Sequence, residues 1–131
     1  MAIAERYGGN KNTRNTGITQ TLLWTNSDPT ADFAAQTISI DLSGYYAVLV
    51  QCGASDGQVN DENIIPIGGS GRVQYAGYTS ANARIYFRDI TTAATGVTFG
   101  ACNRFTQGTS GTTTVATALK CLRIYGIRGV T

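Results

Sequence analysis

Hydrophobic and polar residues alternate along most of this chain from Gln20 onward, and the alternation has a period of two. It is clearest in QTISIDL, where Ile38, Ile40 and Leu42 face one way and Thr37, Ser39 and Asp41 the other, as a half-buried strand requires. Ser43-Gly44 then turns the chain into YYAVLVQC, apolar on both faces and therefore expected at the centre of a sheet. Further strands are predicted at Gln20 to Thr25, Ile64 to Ile67, Gly71 to Tyr75, Ala83 to Ile90, Val97 to Ala101, Thr112 to Ala116 and Leu119 to Ile127. Gly, Asn, Asp and Ser separate them; Asp56-Gly57 and Gly68-Gly69-Ser70-Gly71 read as tight turns, and Thr106 to Thr117 as a hairpin with a flexible tip. No window supports a long amphipathic helix, although Pro29 to Ala35, behind Asp28 as a cap, has the chemistry of a single turn. Many short antiparallel strands joined by Gly-rich turns predict an all-β fold, an antiparallel β-sandwich or jelly-roll-like domain of about eight or nine strands.

The pattern divides the chain in two. Residues 1–18 hold Gly8, Gly9, Asn10, Asn12, Asn15 and Gly17, show no periodicity and have nothing to bury, so they read as an extended arm ahead of a head domain at 19–131. Such an arm needs something to hold it, most simply a neighbouring subunit or a larger assembly, with Arg6, Tyr7, Lys11 and Arg14 as its anchoring side chains. A chain of 131 residues can bury most of its apolar surface without disulfides or metal. Charged residues make up 14% of it, against ~25% in an average soluble protein. Thr, Ser, Asn and 16 Gly fill the gap, the composition of a rigid, turn-rich β protein.

Net charge is +2, which does not argue for nucleic acid, but the charges are unevenly placed. Residues 26–62 carry Asp28, Asp32, Asp41, Asp56, Asp61 and Glu62 and no base, whereas residues 63–131 carry seven bases and only Asp89. Either neighbouring strands neutralise one another, or an acidic face including Asp56, Asp61 and Glu62 meets a basic face of the next subunit head to tail.

Chemistry is sparse. There is no histidine, which removes the commonest general base, the usual partner of Ser and Cys nucleophiles, and the commonest zinc ligand. A glycosidase needs only two carboxylates, and Asp56, Asp61 and Glu62 lie close in sequence, but Asp56-Gly57 is an ordinary hairpin-turn pair. Calcium suits clustered oxygen ligands, yet the spacing does not fit an EF-hand, so neither metal nor cofactor is assigned. Cys52, Cys102 and Cys121 cannot all pair within the chain and lack metal-ligand spacing; they read as reduced, buried small hydrophobes, or as one disulfide and a free thiol. No secretory leader and no run of ~20 apolar residues is present, so assembly in a cytoplasm without membrane insertion is expected.

Aromatics and arginines interleave in the second half. In ARIYFRDI the alternation puts Arg84, Tyr86 and Arg88 on one face, read as outward, and Ala83, Ile85 and Phe87 on the other, read as core. With Tyr78 and Asn82 nearby, such a face suits stacking on sugar rings or a subunit interface. Trp24, after Leu22-Leu23, reads as a core anchor.

One stretch carries a family likeness: LWTNSDPTADFAAQTISIDLSGYYAVLVQ, Leu23 to Gln51, followed by NIIPIGGSG at Asn63 to Gly71, TGVTFGA at Thr95 to Ala101 and LRIYGIR at Leu122 to Arg128. Together these resemble the small C-terminal β head domain of bacteriophage and prophage tail-fibre and minor structural, receptor-binding proteins. The resemblance implies a non-enzymatic virion protein, commonly homotrimeric, that displays loops such as Ser55 to Asn60, Tyr78 to Asn82 and Gln107 to Gly111 for host attachment. Its partners would be other phage capsid or tail proteins and a host cell-surface glycan. In most relatives a shaft precedes the signature, whereas here only about 20 arm residues do, which favours a small head-fibre or decoration protein over a fibre tip. A soluble carbohydrate-binding module or weak glycosidase is the alternative.

Overall fold

The computed structural model describes residues 17–78 and 82–129. The arm residues Arg6, Tyr7, Lys11 and Arg14 lie outside the described residues. Nine antiparallel strands form two sheets: β1 (Ile18–Thr25), β2 (Gln36–Ser39), β3 (Ala47–Gly53), β4 (Val59–Pro66), β5 (Ser70–Tyr78), β6 (Ala83–Ala93), β7 (Gly96–Thr106), β8 (Thr113–Thr114) and β9 (Lys120–Gly129). One sheet has the order β1-β9-β3-β4; the other runs β2-β7-β6-β5, with β8 also pairing with β7. The sandwich expected from the alternation is therefore present. Ile18, assigned to the arm by composition, instead opens β1 opposite Gly129.

β3 is central, as its two-sided apolar sequence predicts, with Val48 and Val50 fully buried. The core between the sheets includes Phe33, Leu42, Val48, Val50, Ile65, Val73, Ile90, Val97, Phe99 and Ile124, and Trp24 packs half-buried against it. Phe33 and Phe99 meet edge to face, ring centroids 5.3 Å apart. All three cysteines are free and buried in the same core. The Pro29 region makes one turn and no helix, with Asp28 Oδ1 accepting from the Thr30 amide and the Asp28 carbonyl from Ala31.

Two irregularities decide which side chains point inward. In β1 the register shifts between Leu22 and Trp24, so both Leu23 and Trp24 reach the core. In the β6–β7 pair it shifts between Arg88 and Ile90: Gly100 and Ala101 together oppose Asp89. Val97 and Phe99 face inward before this bulge; beyond it the inward positions are Cys102 and Arg104 instead of Ala101 and Asn103.

The two faces of β6 are the reverse of the sequence expectation. Arg88, Ile90 and Thr92 are buried and Arg84 and Tyr86 half-buried, while Ile85 is exposed and Phe87 turns outward under Arg72, 4.6 Å from its ring. The physical reason lies at Arg88, whose guanidinium is fully enclosed yet surrounded by carbonyls. Its Nε donates to Leu119 O (3.0 Å), Nη1 to Gly100 O (2.8 Å), and Nη2 to Phe33 O (3.0 Å) and Ala118 O (3.2 Å). A buried cation is tolerated where its donors are matched, and the β7 bulge supplies one of these acceptors. Burial pulls this guanidinium below its ordinary range, opposed by the thiols of Cys102, Cys52 and Cys121 around it.

The sandwich is sewn shut along one side. β4 and β5, edge strands of different sheets, follow one another through the Gly68-Gly69 turn. Asn63 Nδ2 donates to Arg72 O (3.0 Å) and Asp61 Oδ2 accepts from the Gln74 amide (2.8 Å), so side chains of one edge satisfy backbone groups of the other.

Candidate functional site

Successive cross-strand rows on the inner face of the β5-β6-β7 sheet change character toward one end of the sandwich. Gly71, Ile90 and Phe99 form an apolar row, and Val73, Arg88 and Cys102 the next. Beyond them Tyr75, Tyr86 and Arg104 stand in register, followed by Gly77, Arg84 and Thr106. Beside Tyr75, Tyr86, Arg104 and Arg84 of these last two rows a cleft of about 480 Å³ opens. Ala54, Gln58 and Asn60 line it from the β3–β4 hairpin, and Val115, Thr117 and Ala118 from the segment entering β9. That volume lies in the range of small-molecule sites, ~300–1,000 Å³.

Each wall has a local cause. The β3–β4 hairpin is set by Asp56, whose Oδ1 accepts from the Gln58 amide (2.9 Å), and by Gly57 at φ +85°, a conformation that side chains rarely adopt. Buried Lys120 fixes the same loop, donating through Nζ to Ser55 Oγ (2.9 Å), Pro29 O (2.9 Å) and Thr30 O (3.3 Å). The rings of Tyr75 and Tyr86 stack with centroids 6.0 Å apart. Gly77 makes room for them: a Cβ there would stand 3.3 Å from Tyr86 Cε1.

Arg84 and Arg104 give the cleft its charge. They sit diagonally on adjacent strands, since Tyr86 pairs with Arg104 and Arg84 with Thr106. Both Nε atoms are buried and have no hydrogen-bond partner among the described residues. Among the described residues no carboxylate lines the cleft. The arrangement therefore offers two cationic forks, an aromatic platform and the amide and hydroxyl groups of Gln58, Asn60 and Thr117. Such a set has the chemistry of a binding site.

Of the residues singled out in the sequence, Arg84 and Tyr86 meet in this cleft. Tyr78, 86% exposed, ends β5 at the same end of the molecule, and Asn82 leads into β6 there. Arg88 belongs to the core, where its donors are already matched. Each of the three acids has its own contact: Asp56 shapes the turn, Asp61 caps the β5 edge, and Glu62 accepts from Gln51 Nε2 (2.9 Å). Gln51 Oε1 in turn accepts from Arg123 Nε (2.9 Å), and Arg72 pairs with Asp89 at 2.7 Å across β5 and β6. Among the described residues no group of three or more Cys, Asp or Glu side chains is placed to hold a metal ion. Arg104 and Tyr75 were missing from the expected site. A period-two count from Val97 and Phe99 points Arg104 outward, and only the bulge at Gly100-Ala101 turns it in.

Fold and cleft together define a class: a two-sheet antiparallel β-sandwich with a cationic, aromatic recess between its sheets at one end. No protein-family model, curated protein or solved structure matches the chain.

Proposed function

We propose that this chain is a non-enzymatic structural protein of a bacteriophage virion, a small fibre or decoration protein whose β head attaches to host-surface glycan. The observation that carries the attachment is the in-register row of Tyr75, Tyr86 and Arg104 facing an open cleft. Aromatic faces stack on the apolar faces of sugar rings, and fixed polar groups around them select hydroxyls. The virion setting rests on the family likeness of Leu23 to Gln51 and its downstream pieces, with which a β-sandwich accords.

Homotrimeric assembly belongs to the same proposal. A row of Leu22, Tyr125, Leu49 and Ile64 crosses all four strands of the β1-β9-β3-β4 sheet on its outer face, and its ends, Leu22 and Ile64, are 51% and 56% exposed. Such a row suits a subunit contact.

Two measurements test the reading. Immunogold electron microscopy of particles from the strain that encodes the chain should label virions, and fluorescent full-length protein should bind host cells and be displaced by their isolated surface polysaccharide. Unlabelled virions beside abundant free protein would leave the second reading, a soluble carbohydrate-binding module, which the same cleft supports. Absence of any glycan or cell binding would overturn both.

A further inference from the structure

We infer that the sugar recognised in the cleft is acidic: a pyranose unit carrying a carboxylate, held by Arg84 and Arg104 while its ring lies against Tyr86 and Tyr75. This rests on the glycan-binding reading above and names the ligand class. Two guanidinium groups with unpartnered, buried Nε atoms share one recess that no carboxylate among the described residues lines. In the free protein this is unfavourable, because each Nε–H has lost water without gaining an acceptor and the two charges are of like sign. The other enclosed cations of this molecule are treated differently. Arg88 has four carbonyl bonds and Lys120 three acceptors. The sandwich thus matches its structural cations and leaves unmatched the two that face a ligand-sized space.

An anion with two coplanar oxygens completes both forks, since the guanidinium plane fits a carboxylate with two parallel hydrogen bonds. A bare anion would leave the rest of the recess unused: the stacked tyrosines offer an aromatic face, and Gln58, Asn60 and Thr117 offer donors and acceptors suited to hydroxyls. Single-stranded nucleic acid also combines phosphate with stacking. It needs a cationic groove that follows a backbone, whereas the described lining of this recess holds just two arginines and the chain carries only +2 net charge.

Titration calorimetry of the full chain tests this with four probes: a glucuronate-containing oligosaccharide, the matching neutral glucose oligosaccharide, inorganic phosphate and a single-stranded oligonucleotide. The acidic sugar should bind tightest and lose affinity as salt is raised. Arg84→Met and Arg104→Met should each weaken it about tenfold or more. Thermal unfolding of the same variants should show no loss of stability, because neither Nε has a partner among the described residues to lose; a marked loss would mean that their charge serves the fold, and would overturn the inference. Equal binding of the neutral oligosaccharide with unchanged affinity in both variants would overturn the acidic ligand while leaving glycan recognition intact. Tightest binding by phosphate or the oligonucleotide would overturn the sugar. Failure of all four probes, together with failure of host polysaccharide, would remove the glycan-binding reading itself.

Discussion

The guanidinium of Arg88 lies 5.2 Å over the ring of Phe33 and also donates, through Nη2, to the carbonyl of that same residue at 3.0 Å. One cation thus holds the β1–β2 connection by both its side chain and its backbone, while its other donors hold β7 and the segment entering β9.

Removing that cation should be severe. Arg88→Leu leaves the carbonyls of Leu119, Gly100, Phe33 and Ala118 without their donor, and a loss on the order of 3–5 kcal/mol is expected. Arg88→Lys should recover little, since a single ammonium cannot span acceptors arranged for a planar fork. Urea denaturation of the two variants beside the parent measures both effects.

Lys120 joins the β1–β2 connection to the β3–β4 hairpin, and Lys120→Met should loosen both together. A cost of about 1–3 kcal/mol is expected, with faster amide hydrogen exchange at residues 29–31 and 54–58. Exchange unchanged at these segments would contradict the clamp.

The buried thiols predict a particular pH response. Burial raises the pKa of Cys102, against the opposing pull of Arg88, and burial together with the adjoining Cys52 raises that of Cys121. A group raised on folding contributes stability that is whole below its unfolded value, about 8.5 for a thiol, and is lost as pH rises toward the folded value. The denaturation midpoint should therefore fall between pH 8 and pH 10, and Cys121→Ala should flatten that fall. Native protein at pH 8 should react with a disulfide reagent at these positions only after denaturant is added.

Gly77→Ala probes the tyrosine platform without touching a charge. Its Cβ would press on Tyr86 at 3.3 Å and touch Tyr75 at an ordinary 3.5 Å. Glycan affinity should drop several-fold with the unfolding midpoint nearly unchanged, provided the rings can swing into the cleft. A large stability loss instead would show that their positions are fixed by packing and not by the space they leave.

Most of the fold was legible in the sequence because alternation and turn chemistry are local signals. Ile38, Ile40 and Leu42 pointed inward as their spacing demanded, the two-sided YYAVLVQC became a central strand, and Asp56-Gly57 made the hairpin expected of it. The site was half legible. The sequence singles out Arg84 and Tyr86 as candidates for sugar stacking or a subunit contact, but on a face read as outward, whereas the structure turns that face inward. Following the same parity two residues further, to Ile90, would have reversed that judgement, since Ile90 is wholly buried. The inward turn of Arg104 was hidden for a different reason: a bulge inverts the sidedness of everything after it, and the one local hint of it is Gly100 inside the strand pattern. Arg88 and Lys120 depended on carbonyls contributed from distant parts of the chain, which no local pattern encodes.

Both rings and both cations of the cleft are carried by three neighbouring strands, β5, β6 and β7, whereas Gln58 and Thr117 come from connecting segments outside them. Substitutions in those connections can accumulate without disturbing strand register. A lineage under pressure from a changing host coat would then keep the anion-and-ring reader constant and exchange the residues at its margin, acquiring new sugar preferences through few mutations and at little risk to folding.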